Sequence, residues 1–598
     1  MRMAVCAGVA AVLLAGCASM PDSGDLRDVE STPRQDAQVR VFALPPPDDA
    51  APSEIVQGFL EALTSDDPNY ETARKYLAGD ALTEWRPDAS TTVLAEGPNR
   101  YAVASRTQES DEERVYRLTG EKTARVDAQN AYEPAEGSYR ETVHLTRLED
   151  SGQWRIDQLP QGVVMGKSDF QRTYVSVNKY YFTSATRSGQ LGTVADPIYV
   201  RRQVDPVTQM VRSLLQGPTR WLDPVARTGF PSGTALREGV ESLTPDDQNK
   251  LTVPLNDKAD HVARDKCDEM AAQLLLTLQD LMPTGVDEVE LQGPEGKKLC
   301  SLGEDRTDAV AAHGAGNDPE FEYFIAEDKR LVRMPVRSSA PAPEAVPGAL
   351  GAGDMSFRSA AVARDEDRAA GVSLDGSDLY VGSLATASSL GEPVVHSEGQ
   401  TEGDRLTTPS WDGRNDLWVA DRDPDNPRLL MLRNGEGEPV EVTTPELDGR
   451  IKAVRVAADG VRIALILEQD DGKSSSLLVG RIERESGGSG DTAVSIVDLR
   501  SVTPRLEEVR AMSWAGDSRL VVVGRESGGV QQMRYVQVDG STPDGPELAA
   551  LTGVQEIAAS EDESLPLVAH SEDGIVRLSS GSQWQQVVEN GAAPVYPG

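Results

Sequence analysis

The chain has 598 residues, with 97 Asp and Glu against 59 Lys and Arg, giving a formal net charge of −38 and a pI near 4.5. That balance excludes nucleic-acid binding as the default, because phosphate recognition needs a cationic surface, and it disfavours electrostatic docking of the body onto anionic lipid. With 38% hydrophobic and 26% charged residues the chain is globular rather than disordered throughout, its length predicts about three or four domains, and four Cys and five His leave little for a multi-ligand metal site.

A short positive start at Arg2 leads into an apolar run from Ala4 to Leu14. That run is too short to cross a hydrocarbon core, which takes roughly 20 residues, and it has the shape of a signal-peptide core. It ends on Leu14-Ala15-Gly16-Cys17, which resembles a bacterial lipobox. The resemblance implies cleavage between Gly16 and Cys17 and lipidation of the Cys17 thiol; the alternative is an ordinary secretory signal with a chance Cys. Acyl chains contribute about 0.8 kcal/mol per buried CH₂, so two or three would anchor the chain to a membrane. Residues 1–16 are therefore expected as the signal peptide and 17–51 as a tether, whose Pro33 and Pro45-Pro46-Pro47-Asp48-Asp49 cannot build a packed element.

Residues 52–165 read as an α+β domain. Ser53 is the expected N-cap of a helix whose Ile55, Val56, Phe59, Leu60 and Leu63 share a face, and a second short helix carries Tyr70, Ala73, Tyr76 and Leu77. The period then changes to two, with strands through Val115–Thr119, Val143–Thr146 and Trp154–Asp157. Helices followed by antiparallel strands resemble the cone-shaped nuclear-transport-factor-like (NTF2-like) fold.

Residues 170–302 form a second α+β unit. Strands are expected at Asn178–Phe182, Pro197–Arg202, Leu251–Leu255 and Val286–Leu291, and helices at about Pro206–Leu215 and 260–282. The first helix stops at Gln216-Gly217-Pro218-Thr219, where Gly supplies a C-cap and Pro blocks extension. That turn, followed by Pro231-Ser232-Gly233-Thr234, resembles the GerMN module of sporulation and spore germination, a family taken as an interaction module without catalysis. Cys267 and Cys300 fall in this unit; an oxidising exterior permits a disulfide, against the alternative of two buried free thiols. Residues 303–320 and 336–353 read as loops around a strand pair at Phe321–Ile325 and Arg330–Met334.

From residue 354 a strand–turn–strand unit recurs, as in Ser410-Trp411-Asp412-Gly413 and Ser513-Trp514-Ala515-Gly516. Gly376, Gly413, Gly460 and Gly516 stand 37, 47 and 56 residues apart, close to one propeller blade each. Residues 318–598 are thus expected to form a β-propeller of five or six blades, with the strand pair and the chain's end sharing the closing blade. The fold class is multidomain, two α+β domains followed by an all-β propeller; an irregular β-sandwich is the alternative.

Chemical motifs are mostly missing. His144, His261, His313, His396 and His570 are scattered, with no metal-ligand spacing, and no nucleophile elbow or phosphate loop occurs. Asp421–Asn426 suggests a calcium loop but has Asn at the sixth position and Leu432 at the twelfth, so an acidic blade loop fits better. Asp365-Glu366-Asp367 reads as a solvated turn, and Trp411, Trp418 and Trp514 as packing between blades rather than a sugar groove. No catalytic, cofactor-binding or metal-ligating residue and no small-molecule substrate is expected.

The succession of lipobox, Pro-rich tether, α+β domain, GerMN-like unit and propeller resembles the LpqB family of actinobacterial lipoproteins over essentially the whole chain. The resemblance implies a non-enzymatic accessory protein, lipid-anchored on the extracytoplasmic face of the cell membrane. Its implied partner is the outer domain of an MtrB-type sensor histidine kinase, whose two-component pathway governs cell-wall homeostasis and division. The alternatives are a wall-glycan binder or hydrolase using the propeller channel through paired carboxylates, and a structural envelope factor without a signalling contact.

Overall fold

Pro52 sets the first turn of helix α1 (Pro52–Leu63), and Ile55, Val56, Phe59, Ala62 and Leu63 line its buried face. The cap is Ala51 rather than Ser53. Proline has no N–H to satisfy at the first helical position, and the Glu54 carboxylate accepts the Ala51 N–H at 2.8 Å. The computed structural model describes residues 42–598 apart from 104–111, 188–189, 283–284, 313–318, 339–341, 470–471, 473, 487–491, 544–546 and 580–582. Gly16, Cys17, the tether to residue 41 and His313 lie outside the described residues.

A sheet backs α1. Five of its seven strands are β1 (Thr91–Leu94), β2 (Glu113–Val126), β3 (Ser138–Arg147), β4 (Trp154–Gln158) and β5 (Val163–Gly166); the short strands Asn99–Ala102 and Tyr132–Pro134 pair alongside β2. The five run in the order β4-β3-β2-β1-β5, antiparallel except for β1 beside β5. Trp85 is buried beneath α1 with its ring edge-on to Phe59, and its N–H donates to the Gly162 carbonyl at 3.0 Å.

The next unit starts with a long hairpin, β6 (Tyr174–Arg187) and β7 (Gln190–Arg201). Helix α2 (Pro206–Leu215) follows, capped by the Asp205 carboxylate on the Thr208 N–H at 3.2 Å. Strand β8 (Lys250–Pro254) pairs in parallel with β9 (Glu288–Gln292), and β9 pairs antiparallel with β10 (Lys298–Gly303). Between β8 and β9 lies helix α3 (Arg264–Leu281), with Met270, Leu274, Leu275 and Leu278 fully buried. Cys267, in the first turn of α3, and Cys300, in β10, form a disulfide with their Cα atoms 6.1 Å apart. The loop expected after residue 302 instead begins with helix α4 (Glu304–Val310). Glu304 and Asp305 favour its positive N-terminal end, and packing against α3 supplies what its sequence lacks in apolar residues. The segment 336–353, also expected as loop, contains a short strand at Glu344–Ala345 and a helical turn at Ala349–Ala352.

Six antiparallel sheets make the rest. Blade 1 spans Phe357 to His396, blade 2 Ser410 to Glu441, blade 3 Arg450 to Ser501, blade 4 Leu506 to Gln537 and blade 5 Glu556 to Val588. Blade 6 takes its inner strand, Gly591–Val595, from the end of the chain and its others from Phe321–Ala345. Tyr323 pairs with Val595 and Ile325 with Ala592, so the two ends of the propeller segment close the ring. The first strand of each blade touches that of the next, and Gly591–Val595 touches both blade 1 and blade 5. The repeated turn works through Asp412, whose Oδ1 accepts the Arg414 and Asp416 N–H groups at 2.8 and 2.9 Å. Gly413 is required there by proximity: a Cβ would lie 1.7 Å from the Ala458 carbonyl oxygen of blade 3. Trp411 and Trp418 are fully buried between blades and Trp514 nearly so.

Candidate functional site

The Gln216–Thr219 turn is fixed by two charges at directly opposed positions of the β6–β7 hairpin, Lys179 and Asp196. Both side chains are buried, their nitrogen and oxygen 3.4 Å apart. Lys179 Nζ also donates to the Gly217 carbonyl at 3.0 Å. Asp196 accepts the Thr219 N–H at 2.8 Å and the Thr219 hydroxyl at 2.7 Å. Desolvation pushes the Lys179 ammonium below its ordinary range, and Asp196 opposes that shift. Gly217 takes a φ of +99°, which only glycine holds without strain. The motif that resembles the GerMN module is therefore a structural fastening rather than an exposed recognition loop.

Beyond the turn, Trp221 enters the propeller. Its indole N–H donates to the Asp498 carbonyl at 2.9 Å, and the Arg500 guanidinium lies 4.9 Å from the ring centre. Arg481 of blade 3 donates to the Trp221 carbonyl at 2.5 Å. Nearby, Arg462 reaches the Ala195 carbonyl at 3.2 Å and the Tyr180 hydroxyl donates to Asp517 at 2.7 Å. On the other side of the hairpin, Arg201 donates to the Ser65 and Asp67 carbonyls at 2.6 and 3.0 Å and stacks on Tyr70. Tyr199 N–H donates to the Asn130 carbonyl at 2.9 Å. One hairpin thus ties the first domain and the propeller together, and residues 42–598 form one compact unit.

Three cavities matter. A cleft of about 430 Å³ between α3 and blade 4 is bounded by Tyr180, Asp280, Asp517, Arg519 and Glu563. Its acids are largely committed: Asn178 donates twice to Asp280, at 2.7 and 3.0 Å, and Arg519 pairs with Glu563 at 3.0 Å. Desolvation raises the Asp280 and Glu563 carboxyls above their usual range. The propeller's central channel has a volume of only about 60 Å³. Arg364 and Glu561 pair across it at 2.5 Å, and the Gly598 N–H donates to the Val362 carbonyl at 2.9 Å. The third cavity, about 260 Å³, lies between α1 and the sheet of the first domain.

The other expected positions resolve as structure. Asp421 is buried and held by Arg428 at 2.7 Å and the Ser397 hydroxyl at 2.6 Å, leaving its carboxylate committed within the blade. Glu366 is not a free solvated residue, because it accepts the Tyr323 hydroxyl of blade 6. His144 Nδ1 lies 2.6 Å from Asp157, His396 Nδ1 2.7 Å from Asp378 and His570 Nδ1 3.0 Å from Glu556, each a pair between neighbouring strands. No cluster of three or more metal-ligating side chains occurs among the described residues, nor any helix long and apolar enough to cross a membrane. Sequence reasoning does not single out Lys179, Asp196, Trp221 or Arg481. The available signal is a lysine in the strand Asn178-Lys179-Tyr180-Tyr181-Phe182, beside three aromatic residues, and an Asp in the strand that returns beside it.

Comparison with known proteins matches each region. The family model of the lipoprotein LpqB N-terminal domain matches residues 45–171, that of sporulation and spore germination 179–300, and that of the lipoprotein LpqB beta-propeller domain 330–597. Among solved structures, a nidogen–laminin complex covers 46% of this chain and 97% of its own at 9% identity and a TM-score of 0.33. A putative TolB from Agrobacterium tumefaciens covers 37% and 75% at 13% identity and a TM-score of 0.28, and likeness at that level carries no functional argument. A lipoprotein LpqB of Streptomyces coelicolor is 64% identical over 98% of this chain and 96% of its own length. One from Mycolicibacterium smegmatis is 24% identical over 98% of both. A lipoprotein LpqB of Streptomyces avermitilis is 68% identical over 100% of this chain and 98% of its own, and the chain belongs to the lipoprotein LpqB family.

Proposed function

We propose that the protein is a membrane-anchored, non-enzymatic accessory lipoprotein that binds the outer domain of an MtrB-type sensor histidine kinase and modulates its signalling. Cys17 carries the acyl chains, and the body stands on the extracytoplasmic side behind the Pro-rich tether. Family membership over the full chain supports the anchor, and the resemblance to accessory lipoproteins supports the partner. The observation that carries the adaptor reading is the fastening of the first domain and the propeller to the middle α+β unit, by Arg201 of the hairpin on one side and by Trp221 with Arg481 on the other. Modules locked in this way offer a partner one preformed surface, so little ordering entropy is lost on binding. Propeller loops clustered at the ends of the ring suit the same use.

The propeller channel gives a glycan hydrolase no support. About 60 Å³ is well below the roughly 300 Å³ at which small-molecule pockets begin, and its Glu561 is paired with Arg364. The test is a chromosomal deletion read by the output of the kinase's target genes. The reading predicts altered output, restored by the wild-type chain and not by Cys17→Ala. Unchanged output in the deletion, or full rescue by a Cys17→Ala chain that no longer labels with palmitate, contradicts it.

A further inference from the structure

The 260 Å³ cavity of the first domain interrupts an otherwise regular core. Strands β2 and β3 present alternate residues to it: Leu118, Lys122 and Ala124 from one, Tyr139, Glu141 and Val143 from the other. Leu118, Ala124, Tyr139 and Val143 are buried, while Lys122 is half-buried and Glu141 exposed, so the two charged side chains stand on the open side of the cavity. Phe59, Leu60 and Leu63 of α1 form the apolar wall, and Arg125 stands at the rim.

The charged groups here are uncommitted. Among the described residues, Lys122, Arg125 and Glu141 make no ion pair and the Tyr139 hydroxyl has no hydrogen-bond partner. Tyr139 is 7% exposed, and its hydroxyl, without a protein acceptor among the described residues, opens onto the cavity, where it is free to donate to a molecule bound there. Burial, and secondarily the Glu141 carboxylate, raise its pKa, so it stays protonated and can donate. Two cations against one carboxylate leave the cavity mouth with a net positive charge on a strongly acidic protein.

We propose that this cavity binds a single-chain anionic amphiphile, its apolar body against Phe59, Leu60 and Leu63 and its head group accepting from Lys122 and Tyr139, with Arg125 at the rim. The cavity is of the size of a small apolar body and opens to solvent on its charged side, which suits a short single chain with its head group at the mouth. Glu141 selects against a second negative charge.

The test is calorimetric titration of the full chain, held in phosphatidylcholine nanodiscs with empty nanodiscs as the blank. Octanoate, octyl phosphate and octyltrimethylammonium are the probes. Octanoate is expected to bind saturably with a Kd below about 100 μM. Octyl phosphate, a dianion in part at neutral pH, should bind more weakly and the cation not at all. Lys122→Gln should weaken octanoate at least tenfold, the loss of one charge-assisted hydrogen bond. Tyr139→Phe, which leaves the packing intact, should weaken it about fivefold and keeps the test valid if the lysine variant fails to fold. No octanoate binding at 1 mM (about tenfold above the expected Kd), equal binding of the cation, or octanoate affinity unchanged in both variants overturns the proposal.

Discussion

Replacing Lys179 by Met removes one partner of a buried pair whose side chains are 1% and 2% exposed. Methionine fills nearly the same volume, so the cost is electrostatic rather than a cavity. Asp196 loses the ammonium 3.4 Å away but keeps the Thr219 N–H and hydroxyl, and the Gly217 carbonyl loses its 3.0 Å donor. Removing one partner of such a pair costs about 3–5 kcal/mol, chiefly because a buried charge is left uncompensated. The double variant Lys179→Met/Asp196→Asn leaves no orphan charge and should cost about 1–3 kcal/mol less than the sum of the single changes. Guanidinium unfolding of the full chain, read by hydrogen exchange in β6, β7 and α2, separates this unit from the others. Exchange protection around Trp221 should fall in step with the turn. A Lys179→Met chain within 1 kcal/mol of wild type (far below the 3–5 kcal/mol expected of a broken buried pair), or a double variant as costly as the summed singles, would refute the reasoning.

Changing Cys267 and Cys300 together to Ser opens a loop of sequence separation 33 and should cost about 3–4 kcal/mol in the unit spanning α3 and β10, measured by denaturant unfolding; a loss under 1 kcal/mol contradicts it. Asp539 has a buried Oδ2 without a partner, and desolvation pushes its carboxyl up to about 6. The folded chain therefore holds that proton where the unfolded chain releases it. Its stabilising effect is full below about pH 4 and is lost as the pH rises through about 6, by up to roughly 3 kcal/mol. Asp539→Asn should flatten this part of the stability–pH profile between pH 4 and 7, and identical slopes in both proteins would contradict it.

Helix α2 was legible to the residue because its apolar spacing ends on Gly217-Pro218, where left-handed backbone and a missing N–H stop any helix. The blades were legible because each repeats an apolar strand, an acidic or glycine turn and a second apolar strand, as at Trp411–Val419. Closure by Gly591–Val595 followed from counting strands at the two ends. The start of α1 was misplaced by one cap because Ser53 is a good capping residue in isolation, while Pro52 takes the helical position ahead of it. Helix α4 was hidden because its stability comes from α3, not from its own apolar residues. Lys179 and Asp196 look like ordinary strand charges until the hairpin register places them opposite each other. The docking of Trp221 onto blade 3 joins residues 277 apart in sequence, a distance at which periodicity carries no information. The cavity of the first domain carries its own sequence signal, a lysine and a glutamate on the strand faces that otherwise present Leu118, Ala124, Tyr139 and Val143.

The central claim is a physical contact, and it is tested most directly by titrating the purified full chain, disulfide intact, against the isolated outer domain of the MtrB-type kinase from the same cell. Saturable one-to-one binding with a Kd of about 10 μM or tighter is expected, reduced in a Trp221→Ala chain whose modules no longer share a fixed arrangement. No binding up to concentrations on the order of 100 μM, with a chain that unfolds as wild type does, would contradict it.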